Sequence, residues 1–226
     1  MILTKIQQET IKLLSQSELS KSFYWTGGTL LATHYLHHRL SEDLDFFSEN
    51  HFSFENINPF IQELKQKIGF KQVTSTKIFD RWEFLLENPE ILRLEFVHYN
   101  HEKKTLHPRE KYLGVFIDSL DDAATNKTMA FIDRTEPKDV FDIYYLMTQA
   151  SYTQSKLLEL VMIKFGVTFP ESLFWSQSHK GIKLLADIKP LMLQKSEKEK
   201  SDLLNKIADY FKSNSSRFLS NQFTDK

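Results

Sequence analysis

No cysteine occurs among the 226 residues. That excludes disulfides, thiolate metal sites and a thiol nucleophile, and it suits a reducing compartment. Glycine and proline number only 6 each, so helices and packed strands should outweigh long loops and linkers. No stretch approaches the ~20 apolar residues of a membrane span. MILTKIQQETIKLL also lacks an apolar core followed by a small-residue cleavage site. A soluble, cytoplasmic protein without a membrane partner is therefore expected. Net charge is scarce as well, at −1 with a pI near 6.7. No global attraction to nucleic acid follows, and any polyanion must meet a local basic patch. Three common signatures are missing: the Gly-x-Ser-x-Gly elbow, the P-loop, and the Rossmann glycine run, since no glycine follows Gly27-Gly28 until Gly69.

What is present is ordinary globular material, 41% hydrophobic and 26% charged, with 19 phenylalanines. That is enough for one large domain or two small ones. Ile6, Ile11, Leu13 and Leu14 recur at helical spacing within residues 3–16. Phe23-Tyr24-Trp25-Thr26 reads as a short buried strand stopped by Gly27-Gly28, and TLLATHYLHHRL returns to helical spacing. A second amphipathic helix is expected over 55–68, and strands over 70–79, 81–87, 91–99 and 115–117, with a polar loop at 100–112. After Asp118 the pattern turns helical: LDDAATNKTMAFIDR, PKDVFDIYYLMTQ, 154–165, 171–186 and 196–212, with a frayed Ser/Asn-rich 213–226. The reading is α+β, with a mixed sheet flanked by helices over 1–118 and a helical bundle over 119–226.

Chemistry concentrates in WTGGTLLATHYLHHRLSEDLDFFS, residues 25–48. If Asp43-Leu44-Asp45 is extended, both carboxylates leave one face of the strand and repel each other. A hard cation, magnesium or manganese, would relieve that repulsion. Taken alone, the motif is more simply a capping Asp43 and a surface Asp45. The helix after Gly27-Gly28 would offer unpaired N–H groups to phosphate, although a strand-to-helix turn needs glycine for steric reasons too. Thr29 can add a donor or cap that helix. Glu95, on the polar face of ILRLEFVHY, is a candidate third ligand or general base, or a solvated edge carboxylate.

Other constellations are weaker. His34 and His38 stand four apart, which could place both on one helix face for zinc, but no third ligand accompanies them. His37-His38-Arg39 reads more simply as the basic end of the helix. Lys103, Lys104, Arg109 and Lys111, like the lysines of KSEKEKSDLLNK, form solvated faces able to touch an RNA backbone.

A family resemblance ties these pieces together. Gly27-Gly28-Thr29 followed by Arg39-x-Ser41-x-Asp43-Leu44-Asp45-Phe46 resembles the nucleotidyltransferase superfamily of DNA polymerase β type. More closely, TGGTLLA…HHRLSEDLDFF is similar to the AbiEii/AbiGii group of nucleotidyltransferase-like toxins. Lys127, Arg134, Lys138-Asp139 and Asp142 resemble that group's later Lys and Asp motifs. The resemblance implies a nucleotidyltransferase-like sheet and metal-assisted transfer from a nucleoside triphosphate. Asp43, Asp45 and Glu95 would hold Mg²⁺ or Mn²⁺, while Gly27, Gly28, Thr29, Arg39, Ser41 and Lys127 would meet nucleotide phosphates. Asp139 or Asp142 would orient Lys127 or act as base, and the two stretches would face one another across a cleft. The implied acceptor is RNA, such as a tRNA 3′ end, and the implied partner is an antitoxin encoded nearby. The alternatives are transfer to a small molecule or protein hydroxyl, and a non-catalytic nucleotide-binding member.

Overall fold

The computed structural model describes residues 3–224. The chain divides into two compact units. One comprises residues up to His37 together with Ser41–Ala123; the other comprises His38–Leu40 and the chain from Ala124 onward.

The first unit is built on a seven-stranded mixed sheet of order β3-β4-β5-β2-β1-β7-β6. Its strands are β1 (Tyr24–Thr26), β2 (Asp43–Ser48), β3 (Gln72–Ile78), β4 (Arg81–Glu87), β5 (Leu92–His98), β6 (Glu110–Tyr112) and β7 (Val115–Ile117). β2 runs parallel to β5, and β1 parallel to β7; the other neighbours are antiparallel. β6 lies inside the expected 100–112 loop. Its three residues are all exposed, so no burial pattern marks it as a strand.

Alternation divides the sheet cleanly. Trp25, Leu44, Phe46, Phe84, Leu86, Leu94 and Phe96 are buried on one face. They share a core with Ile6, Ile11 and Leu14 of α1 (Lys5–Gln16) and Ile57, Ile61 and Leu64 of α3 (Phe54–Ile68). Thr4 and Gln7 close a capping box at the start of α1, which satisfies two helix-end N–H groups. Phe96 is the hub of this core, with ring centroids 5.2 Å from Phe23, 5.5 Å from Phe46 and 6.1 Å from Phe84. The opposite face carries Asp43, Asp45, Glu95, Arg93, Glu83 and Arg81.

Between β1 and β2 lies helix α2, α-helical over Gly27–Leu30 and π-helical over Leu31–Leu36. It ends earlier than expected. His37 takes a left-handed φ of 52° that stops the helix, so His38 and Arg39 are not its basic end.

In the second unit α4 (Leu120–Asp133) runs in from the first, followed by α5 (Pro137–Thr148), α6 (Gln154–Phe165), α7 (Glu171–Ile182) and α8 (Glu197–Thr224). Phe131, Phe141, Leu157, Val161, Phe174, Ile207 and Phe211 are buried there. α8 stays helical across 213–224, where composition predicts fraying; residues 225 and 226 lie outside the described residues. Ser215 shows why: it is buried, and its hydroxyl sits 2.8 Å from His179 Nε2 on α7.

Truncating Phe96 to Ala should lower the unfolding free energy by about 3–5 kcal/mol in urea denaturation. A loss below about 1 kcal/mol would show that the site-bearing sheet does not depend on this ring cluster.

Candidate functional site

The turn between β1 and α2 is a tight one. Gly27 has φ +79°, and a Cβ there would overlap the Asp45 carboxylate, lying 2.6 Å from its Cγ. Glycine is required both by the dihedral and by the space. Asp45 and the start of α2 are thereby brought together, as Thr26 and Asp45 are by their register.

Thr29 is fully buried. Its hydroxyl donates to the Asp43 carbonyl, and Ser41 Oγ lies 2.7 Å away. Gln7 of α1 adds its side-chain amide, which donates to the carbonyls of Ser41 at 3.0 Å and Glu42 at 3.2 Å. The approach to β2 is thus held from two helices. Gln7 was not legible as a site residue; its only signal is a polar side chain beside an apolar stripe.

Asp43 and Asp45 are half-buried on the same face of β2. Asp45 lies opposite Glu95 in register, and Glu95 opposite Glu83. Arg81 bridges the latter two, at 2.7 Å from Glu83 and 3.6 Å from Glu95. Arg81 and Glu83 were also missed, because alternation shows that they share a face but not which strand they pair with. Two adjacent, partly exposed carboxylates are a hard-oxygen donor set that fits Mg²⁺ or Mn²⁺. Among the described residues no three His, Cys, Asp or Glu side chains converge as a metal-binding group. The zinc reading fails for a simple reason. His34 packs against Tyr35 and Tyr112, the helix ends at His37 so that His38 is not on its face, and His38 Nε2 meets Asp142.

In that second unit a separate set of charges is buried. The His38–Leu40 segment is held by the backbone of 191–192: Leu40 N–H donates to Leu191 O at 2.7 Å, and Arg39 pairs with Met192. Arg39, almost wholly buried, grips Asp142 with two nitrogens at 2.6 and 2.9 Å. His38 Nε2 is 2.7 Å from the same carboxylate. Lys127 reaches Asp139 at 2.7 Å and Asp142 at 3.0 Å, and Arg134 reaches Asp139 at 3.0 Å. Lys138 instead faces Glu136 at 3.4 Å. Asp139 and Asp142 stand three apart on α5 and so share a face.

Burial alone would raise the pKa of Asp142, but Arg39 and Lys127 reverse that and hold it well below its ordinary 3.8. Asp139 is lowered in the same way against burial, by Lys127 and Arg134. Burial would lower Lys127; Asp142 and Asp139 outweigh it and raise the ammonium's pKa. His38 is lowered, chiefly by burial, and so is neutral at pH 7. Its Nε2–H then donates to Asp142.

The sequence-predicted residues therefore fall into two groups. Gly27, Gly28, Thr29, Ser41, Asp43, Asp45 and Glu95 lie in the sheet unit, and Arg39, Lys127, Asp139 and Asp142 in the helical unit.

Residues 12–217 match the family model described as nucleotidyl transferase AbiEii toxin, type IV TA system. The chain belongs to the AbiEii nucleotidyltransferase toxin family. It is accordingly a nucleotidyltransferase. An uncharacterized protein of Aquifex aeolicus is 30% identical over 165 residues, covering 72% of this chain and 76% of that protein. The crystal structure of JHP933 from Helicobacter pylori matches at TM-score 0.57 and 19% identity, over 96% of this chain and 95% of that one. The toxin MenT4 of Mycobacterium tuberculosis matches at TM-score 0.51 and 17% identity, over 91% of this chain and 81% of that one. These two likenesses show the fold, which is α+β.

Two outcomes follow for the family's motifs in this chain. Asp142→Asn should cost about 3–5 kcal/mol of stability at neutral pH, because Arg39 and Lys127 lose their buried counter-charge. The pKa of Asp142 is depressed on folding, so its contribution is complete above its ordinary value of 3.8 and fades as pH falls below it. The gap between wild type and variant, read from urea curves, should therefore narrow in acid; a pH-independent gap would contradict the assignment. Gly27→Ala should destabilise by about 1–3 kcal/mol through φ strain alone, with additional displacement of Asp45. Unchanged stability would show that the turn tolerates a side chain.

Proposed function

We propose that this AbiEii-family enzyme is a Mg²⁺- or Mn²⁺-dependent nucleotidyltransferase that moves a nucleotide from a nucleoside triphosphate to RNA, with a tRNA 3′ end as acceptor. It would act in the cytoplasm as the toxin of a type IV toxin–antitoxin pair whose antitoxin is encoded nearby. The observation that carries the metal reading is the pair of partly exposed carboxylates, Asp43 and Asp45, on one strand face beside the glycine turn.

Asp43 and Asp45 would hold the cation, with Glu95 beside them in register. When bound, the divalent ion would neutralise triphosphate charge and stabilise the attacking and leaving oxygens of an in-line displacement. Gly27 and Gly28 begin α2, whose first N–H groups would be the donors to a phosphate oxygen. Thr29 and Ser41 support the site through their bonds to each other and to the Asp43 backbone, which favours positioning over direct phosphate contact. In the helical unit Lys127 keeps its charge at neutral pH and is the candidate for phosphate. Asp139 and Asp142 are buried and ion-paired with depressed pKa values, so the geometry favours orienting Lys127 over acting as base. Arg39 fits the same supporting role, with its guanidinium engaged by Asp142.

The test is labelling. Purified protein with Mg²⁺, each labelled nucleoside triphosphate in turn and total tRNA should label RNA. The Asp43→Asn and Asp45→Asn variants should lose at least about a hundredfold in rate. Equal labelling by these variants would sink the proposed role of the pair. Label that survives ribonuclease would move the acceptor to a protein or small molecule, and nucleotide binding without product would point to a non-catalytic member.

A further inference from the structure

Three carboxylates lie in one row across neighbouring strands. Asp45 on β2 is opposite Glu95 on β5, and Glu95 is opposite Glu83 on β4. Directly opposed like charges destabilise a sheet, so a row of three needs a compensating cation. Arg81, two residues before Glu83 on the same face, supplies it. One guanidinium nitrogen is 2.7 Å from Glu83 and another is 3.6 Å from Glu95. The three side chains are 39%, 33% and 28% exposed for Arg81, Glu83 and Glu95, so each can turn without unfolding the sheet.

Arginine suits this position better than lysine. Its planar fork presents separate N–H groups to two carboxylates at once, and it does not lose its proton at any ordinary pH. Glu83 is the nearer partner and acts as the anchor, while Glu95 is the carboxylate beside the proposed metal pair. An acidic side chain that faces an arginine is a poorer ligand. It must leave that partner to coordinate, and the guanidinium repels an incoming cation through space.

We propose that Arg81, anchored on Glu83, withholds Glu95 from the cation held by Asp43 and Asp45, so that the protein alone offers a weak, two-carboxylate site. The proposal rests on the reading that Asp43 and Asp45 bind the metal. It makes Arg81 a positioning residue and Glu83 its support.

The experiment is Mn²⁺ titration of the whole protein without nucleotide, with free Mn²⁺ followed by electron paramagnetic resonance. Melting curves would first show that each variant is folded. Arg81→Gln should tighten Mn²⁺ binding by about tenfold, through a released ligand and the loss of one nearby positive charge. Glu95→Gln should change wild-type affinity by less than about twofold, yet remove most of the gain in the Arg81→Gln background; that coupling separates a released ligand from a general charge effect. Asp45→Asn should weaken binding in both backgrounds. No tightening in Arg81→Gln, or a Glu95→Gln loss in wild type as large as that of Asp45→Asn, would overturn the role of Arg81 while leaving the metal pair standing. Binding unchanged by both Asp43→Asn and Asp45→Asn would instead remove the metal reading, and the role of Arg81 with it.

Discussion

The sheet unit's chemistry depends on one close approach. The start of α2 presses against Asp45 so tightly that nothing larger than hydrogen fits on Gly27. That contact sets the Asp45 side chain against the first residue of the helix, beside the register that pairs Asp45 with Thr26. Thr29, two residues further on, reaches the Asp43 carbonyl from the same helix. Two aspartates that repel each other are thus held by backbone geometry and the Thr29 hydrogen bond rather than by any attraction between them. Such a preorganised repulsion is tolerable because the pair is partly exposed and water screens it.

The helical unit solves an opposite problem. Its carboxylates, Asp139 and Asp142, are removed from water, and ions can be buried only if closely paired and hydrogen-bonded. Arg39, Lys127, Arg134 and neutral His38 supply those partners. The result is a charge cluster whose protonation is locked over the physiological range. The helical unit thus carries its compensating cations within its own fold.

Much of this was legible before the structure. Period-two alternation in DLDFF and ILRLEF assigned the faces of β2 and β5, and the structure keeps those faces. The Gly-Gly turn was legible as a backbone requirement, though its reason, the nearness of Asp45, is a tertiary contact no spacing reveals. Strand register was not legible, and so Glu83 and Arg81 stayed hidden although their own alternation was plain. His37 misled because it continues the polar pattern of its helix; its left-handed backbone depends on where the chain must go next. The family resemblance alone gave Arg39 a place among the phosphate contacts. Its partner lies 103 residues later, beyond any local pattern.

The passage of His38–Leu40 through the helical unit has a consequence for how this fold can be divided. The helical unit is not a continuous stretch of chain, since three of its residues come from between α2 and β2. A fragment starting at Ala124 would carry Asp142 without Arg39 and His38, its backbone at Leu191 without Leu40, and a buried carboxylate with only Lys127 of those partners remaining. A single cut in the gene before Ala124 would therefore divide this charge cluster, taking two of Asp142's three partners to the other side.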